Sequence, residues 1–470
     1  MRHSYNVITN NKYLLLIVMT LLILLNRSIT FTPLGIIFSY SQLFFILVLL
    51  YSKRSIDAIY LHLILSLTSL EFTLSTDISL FSFRTVRIAG FSTFTLSLIM
   101  LYVYHFNAAR YFLRSSNKVR FLLAPLIYGS FIGIIGILNF DYQFSFIFAE
   151  FKYWLLLFLS AHLFHIKIIQ QGEGIKIFKR ITIYFFCINT LVNFLAGAFD
   201  VVIDNYGGVD VFVFDSADIL TPFILMLYSK SNSKKRNTMI IITFIIFLMN
   251  IYFYAASGKS ILIAAFVLLM FFYKNYIRNT KISPGKIIFI PITFILSVFL
   301  ITKNQSGKMF ENKLGDSIAV LSLNWITNPM DLSASPRDRV FELMNISSYL
   351  SSRPLLLLFG VGFGGYYEED YIVNYTANAN GGYSDYEIKT RKFINPHVSI
   401  NRILLKFGLI GLLIWIYTIY DIIKSRSYDE YSKYILLILL LLFIGYSLKI
   451  ALMIGLFLNF YKVRKINFSL

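Results

Sequence analysis

The sequence predicts an all-α polytopic membrane protein with about 12–14 transmembrane helices, each needing about 20 apolar residues to cross a hydrocarbon core about 30 Å thick. Three observations lead there. The 470 residues are 57% hydrophobic and 17% aromatic, with a mean hydropathy of +0.68, whereas soluble domains are about 45–50% apolar. Apolar runs of spanning length recur along the chain. The basic residues gather in alternate loops between them.

The runs fall at approximately 13–26, 29–50, 57–74, 88–109, 119–139, 144–169, 180–199, 212–229, 238–256, 259–273, 285–302, 397–422 and 434–460. The first has the length of a signal-peptide core, but Asn26-Arg27 follows without a small-x-small cleavage site, so it reads as an uncleaved helix. The last run reads either as one tilted helix or as two short ones turning near Gly445–Lys449.

The net charge of +19 invites a nucleic-acid partner until its distribution is considered. Alternate loops carry Lys53/Arg54, Arg110/Arg114/Lys118/Arg120, Lys167/Lys176/Lys179/Arg180, Lys230/Lys234/Lys235/Arg236, Lys274/Arg278/Lys281/Lys286 and Lys424/Arg426/Lys433. The short loops between them hold only Arg27, Arg84, Arg87 and Lys259. This is the asymmetry of the positive-inside rule, so no nucleic acid is expected and the N-terminus is read as cytoplasmic. Residues 1–302 then form a membrane helix bundle, 303–396 a large outward loop, and 397–470 the C-terminal transmembrane helices of a multi-pass membrane protein.

Redox and metal chemistry have little to work with. Cys187 is the one cysteine and lies inside an apolar run, so no intramolecular disulfide can form. His162 and His165 have ligand-like spacing but no Cys or carboxylate beside them, and with His3, His62 and His105 they read as structural residues near cytoplasmic helix ends. Charges within spans concentrate towards the outer ends, at Glu71, Glu150, Lys152, Asp215, Asp218 and Lys259. Singly each could sit at headgroup level; together they point to a polar cavity opening to the outer leaflet.

The long loop is where chemistry is expected, because structureless loops beyond about 12–15 residues are uncommon. Ser335-Pro336-Arg337-Asp338 reads as a helix start, with Ser as N-cap, Pro at the first position and an acid at the third. That helix should run to Arg353 and stop at Pro354, with Val340, Leu343, Ile346 and Leu350 along one face. Leu355–Phe359 reads as a buried run, and Gly360-Val361-Gly362-Phe363-Gly364-Gly365 as backbone brought close to whatever binds there. The loop tyrosines, among them Tyr349, Tyr366, Tyr367 and Tyr383, suit stacking on sugar rings, or equally an interfacial belt. Glu368, Glu369 and Asp370 read as a solvated acidic run. Asn395-Pro396-His397 closes the loop, and His397 is the only outward histidine.

The stretch Arg339–Gly411 resembles the bacterial O-antigen ligase and Wzy-type O-antigen polymerase family of membrane glycan transferases. The resemblance rests on Arg339 on a helix, Arg353-Pro354-Leu355 before Gly360-Val361-Gly362-Phe363-Gly364, and His397 followed by Gly408-Leu409-Ile410-Gly411. Ala256-Ser257-Gly258-Lys259-Ser260 is similar to the family's Ser-Arg-Gly, with Lys259 in place of the arginine, and Asp204–Ala217 looks more weakly like its Gly- and Asn-containing loop. The ligases carry a polar residue after the histidine where this chain has Val398, which favours the polymerase.

The resemblance implies a GT-C-like, metal-independent glycosyltransferase that uses no cofactor and acts on undecaprenyl-pyrophosphate-linked glycan as donor and acceptor at the outer face of the inner membrane. It also implies a chain-length regulator and a flippase as partners, besides membrane lipids. His397 would be the base and Arg339 a second catalytic group, Lys259 and Arg337 would bind the lipid pyrophosphate, and Asn401 would orient His397. The alternatives are the ligase that joins glycan to lipid A–core, and a non-enzymatic flippase of lipid-linked oligosaccharide.

Overall fold

The computed structural model of the protein describes residues 11–28, 32–69, 86–88, 90–106, 122–168, 172–198, 204–206, 209–211, 242–243, 245–247, 249, 334–369, 383, 385–425, 430–445 and 448–458. These are mostly helical, with two antiparallel ribbons of two and three residues per strand and a few irregular connecting segments. The expected spans at 212–229, 259–273 and 285–302 lie outside the described residues. Contacts divide the chain into two compact units, Met1–Ser97 with Lys176–Ile318, and Leu98–Ile175 with Ala319–Leu470.

The first unit contains α1 (Lys12–Ser28), α2 (Thr32–Tyr51), α3 (Ser55–Thr68), the ribbon of β1 (Arg87–Ile88) and β2 (Phe91–Ser92), the start of α4 (Thr93–Tyr104) and most of α7 (Gly172–Ala198). Both α1 and α2 pack on α3, whose residues from Ala58 to Thr68 are nearly all buried. α2 turns Leu43 and Ile46 inward but leaves Leu34, Ile37, Phe44 and Phe45 exposed. A helix apolar all round suits hydrocarbon rather than water. His62 lies within α3, fully buried, with Nδ1 at 2.6 Å from the Ser97 hydroxyl, which satisfies its ring as a buried polar group requires. The Asp204–Ala217 segment includes β3 (Asp204–Tyr206) paired antiparallel with β4 (Val209–Val211).

The second unit is built on α5 (Leu123–Asn139), α6 (Phe144–Ile168), α8 (Ala334–Ser351), α9 (Pro354–Phe359), α10 (Asp385–Thr390), α11 (Ser399–Lys424), α12 (Glu430–Phe443) and α13 (Leu448–Phe457). α13 is buried along its whole length and packs on α6, where Gly455 lies against Ser160 and Ala161. α5 is inverted relative to a helix of a soluble protein. Gly129, Gly133 and Gly136 face inward, while Ile127, Phe131, Ile134 and Leu138 are exposed. Small residues at the packed face and large apolar ones outside are what helix association in lipid requires. Among the described residues, three helices, Pro33–Tyr51, Phe144–Phe164 and Ser399–Lys424, are long and apolar enough to cross a membrane, and several shorter apolar helices accompany them. This is a helical membrane protein.

One open sequence reading is decided here and one expectation changes. The run 434–460 is two helices, α12 and α13, turning at Gly445, whose φ of 75° suits glycine. Leu355–Phe359 is not a buried run. Pro354 starts a second short helix, α9, which buries no residue and exposes Leu355, Leu358 and Phe359. Proline at the first helical position lacks only an amide that would be unsatisfied anyway, so it ends α8 by beginning α9.

Candidate functional site

The expected start of α8 at Ser335-Pro336 agrees with the observed helix to within a residue. Its buried face, however, runs through Phe341, Glu342, Asn345, Ile346, Tyr349 and Leu350, with Val340 and Leu343 only half-buried. The inward stripe therefore contains a carboxylate that the apolar pattern passed over. Arg337 and Arg339, both half-buried, occupy the first turns of the same helix, Arg339 one turn before Glu342.

His397 lies two residues before α11. The chain reaches it along a strap fixed by main-chain bonds. Phe393 exchanges both amide bonds with Tyr367, at 3.0 and 3.1 Å. The buried Glu387 of α10 accepts the amides of Ile394 (2.8 Å) and Asn395 (3.0 Å). Arg402 of α11 donates to the carbonyls of Pro396 and Gly445. The strap thus delivers His397 to α8, where Glu342 accepts its main-chain N–H at 3.1 Å and stands 2.8 Å from its Nδ1. Asn401 donates its amide to Glu342 Oε1 at 2.8 Å and to the Arg339 carbonyl at 3.1 Å. Asn401 thereby reaches His397 through Glu342.

Two tyrosines complete this cluster. Tyr383 donates to Glu342 Oε2 at 2.7 Å and sets its ring edge-on to His397, with centroids 4.6 Å apart. Its oxygen is 3.0 Å from that of the buried Tyr367. Burial pushes both phenols well above the ordinary tyrosine value, and the nearby Glu342 carboxylate pushes the same way. They are neutral hydrogen-bond donors. Tyr349 also serves the protein itself, lying under the Arg353 guanidinium at 4.1 Å. Sugar stacking is therefore not the task of Tyr349, Tyr367 or Tyr383. Glu369, expected to be solvated, is buried.

The glycine run approaches helices rather than a ligand. Gly408 of α11 has φ 62° and ψ −162°, which interrupts the helix and frees carbonyls upstream. Val361 and Gly362 donate to two of them, on Leu405 (2.9 Å) and Lys406 (3.0 Å), while Phe363 donates to Gly129 of α5 (2.9 Å). Gly364 donates to Glu150 of α6 at 2.7 Å, and Gly360 and Gly365 donate to Leu356 and Gly362. Every amide from Gly360 to Gly365 is thus used inside the protein. A Cβ at Gly408 would lie 2.5 Å from the Leu358 backbone, so chain packing demands glycine there.

Glu150 belongs to the same wedge. Its second oxygen lies 3.0 Å from Nζ of Lys406, which also donates to the Gly365 carbonyl at 2.7 Å. The Lys406 and Glu150 side chains are 2% and 10% exposed. Glu150 thus clamps the loop to α6 and α11 instead of lining an open cavity.

No protein-family model matches the chain, and no curated protein matches it.

Of the expected site residues, the structure brings together His397, Arg339 and Asn401, with Arg337 on the adjoining turn of α8. Lys259 lies outside the described residues. The sequence reading did not single out Glu342 or Glu387, and it named Tyr383 only for stacking or an interfacial belt. Glu342 had one readable signal, its position inside the 3.6-residue periodicity of Phe341, Asn345, Ile346 and Tyr349. Among the described residues, no group of three or more His, Cys, Asp or Glu could hold a metal ion.

Chemically, the cluster presents one imidazole at its open edge. The His397 side chain is 25% exposed while Glu342 is 2% exposed. Nδ1 is engaged by the carboxylate, and Nε2 makes no hydrogen bond among the described residues. A partly exposed imidazole with one free nitrogen can accept a proton as a general base.

Proposed function

We propose that this protein polymerises undecaprenyl-pyrophosphate-linked oligosaccharide repeat units, for O-antigen or a related surface polysaccharide, at the outer face of the inner membrane. The observation that carries the reading is the meeting of His397 with the Arg339-bearing turn of α8, joined through Asn401. Charge asymmetry across the loops orients that cluster outward.

In the proposed reaction an acceptor sugar hydroxyl attacks the anomeric carbon of the donor glycan. The new C–O bond forms with the electron pair of the hydroxyl oxygen, whose proton passes to Nε2 of His397. The bond from the anomeric carbon to phosphate breaks, and its electron pair leaves on the lipid pyrophosphate. Arg339, Arg337 and Lys259 hold that pyrophosphate, arginine by a bidentate fork and lysine as a point charge. Fixed cations stabilise the charge that develops as the bond breaks. Val398 after the histidine favours polymerase over ligase.

The deciding experiment is the surface glycan of a strain lacking the protein. Glycan capped at one repeat supports the polymerase, no attached glycan supports the ligase, and an unchanged ladder removes both. In vitro, Arg339→Ala and Lys259→Ala should lose donor binding along with activity, and Lys259→Arg should keep both. A reporter that works only in the cytoplasm, fused after Gly382 and found active, would overturn the orientation.

A further inference from the structure

We propose that Glu342 is the positioning residue of His397: its carboxylate accepts a hydrogen bond from Nδ1–H, so the neutral ring carries its lone pair on Nε2, at the open edge of the cluster. The role of Nε2 as base rests on the polymerase reading; the assignment of the tautomer does not.

The geometry allows Glu342 little else. Oε1 receives Asn401 Nδ2 at 2.8 Å and the His397 amide at 3.1 Å. Oε2 receives the Tyr383 hydroxyl at 2.7 Å and faces His397 Nδ1 at 2.8 Å, with the same amide at 3.1 Å. A carboxylate offers about four lone-pair sites, and these contacts occupy them. Buried and saturated, Glu342 has no oxygen to offer a substrate hydroxyl. It is an orienting group, not a competing base.

Each neighbour also constrains the proton. An ionised carboxylate is an acceptor only, so the atom facing it at 2.8 Å must be a donor, and the ring nitrogen there must be N–H. The Tyr383 proton is already directed at Oε2, so Tyr383 takes a hydrogen bond from Tyr367 and cannot offer Nδ1 a different partner. The edge-on Tyr383 ring opposes rotation of the imidazole that would exchange Nδ1 for Nε2. The main-chain N–H of His397 is bound to the same carboxylate, so ring and backbone are held by one group. Among the described residues the only ion pair of Glu342 is with His397. Its charge is therefore available to the imidazolium that forms when Nε2 takes the acceptor's proton.

The test is nitrogen NMR of the full-length protein labelled with 15N-histidine, with the pH raised until the signals report a neutral His397 ring. The His397 resonances are identified by their loss in His397→Ala. In the unsubstituted protein His397 should be the Nδ1–H tautomer, with an unprotonated Nε2. An Nε2–H tautomer there overturns the proposal outright, with no variant needed. Glu342→Gln should convert the signal to a mixture or to the other tautomer, and Glu342→Asp should keep the original one. An unchanged tautomer in Glu342→Gln of normal abundance also overturns it. If the wild type polymerises lipid-linked repeats in vitro, Glu342→Gln should slow turnover about 10²–10⁴-fold with donor binding retained. Equal turnover would sink the proposal, whereas absence of turnover in every form, with the tautomer result intact, sinks the polymerase reading alone.

Discussion

Glu342 is buried and Glu150 largely so; these two carboxylates of one compact unit end in opposite situations. Glu150 faces Lys406 and a glycine amide, and its cluster is closed on every side described. Glu342 faces a histidine, an asparagine and a tyrosine, and its cluster has one partly exposed atom group, the His397 ring. Both hold residues of the long loop against α11. Only the second holds a side chain that can exchange a proton with something outside. A buried acid therefore becomes a clamp or part of a site according to whether its partner is saturated or has a second, outward-facing nitrogen.

The sharpest way to break that contrast is to remove the outward-facing partner. On the proposed polymerase reading, His397→Ala should lower polymer formation by about 10²–10⁴-fold at normal membrane abundance, with donor binding kept. Full-length chains from such a protein would erase the distinction between the two clusters. Lys406→Met should act in the other way, by leaving the Glu150 charge buried and uncompensated at a cost of about 3–5 kcal/mol. The thermal midpoint in detergent and the amount in the membrane should both fall. Adding Glu150→Gln should recover most of the loss, and a single variant as stable as wild type would contradict the clamp.

Smaller effects should follow from the main-chain wedge and from the phenols. Gly408→Ala forces a side chain into a region that only glycine adopts freely, costing about 1–3 kcal/mol before any clash with the Leu358 backbone is counted. Its activity per folded molecule should stay near wild type if the wedge is purely structural. Tyr383→Phe removes one donor from Glu342 and should cost about 1–3 kcal/mol. Because Tyr383 and Tyr367 are raised above the ordinary value of 10.0, the stability they contribute is whole below that pH and lost as pH rises above it. The unfolded phenols ionise there while the buried pair keeps its protons. Stability of Tyr383→Phe should therefore fall less steeply with alkaline pH than that of wild type, as read from unfolding midpoints across pH. Equal slopes would place the titration elsewhere.

The sequence by itself determined the helical membrane character, because apolar runs of spanning length have no other stable solution in water or lipid. It also marked the start of α8, through the local preference of Ser-Pro, and drew attention to His397 and Arg339 through their resemblance to a known family. It flagged the glycine run as a place of close approach, since glycine is needed wherever backbone meets backbone. Only the tertiary structure decided what is approached: α5, α6 and α11 rather than a ligand. It alone turned Glu342 inward, joined Glu150 to Lys406, and divided the last apolar run at Gly445. The physical reason is the same in each case. A polar residue on a helix costs energy when buried unless a partner from a distant segment meets it, and that partner is specified by three-dimensional packing, which no local pattern of residues records.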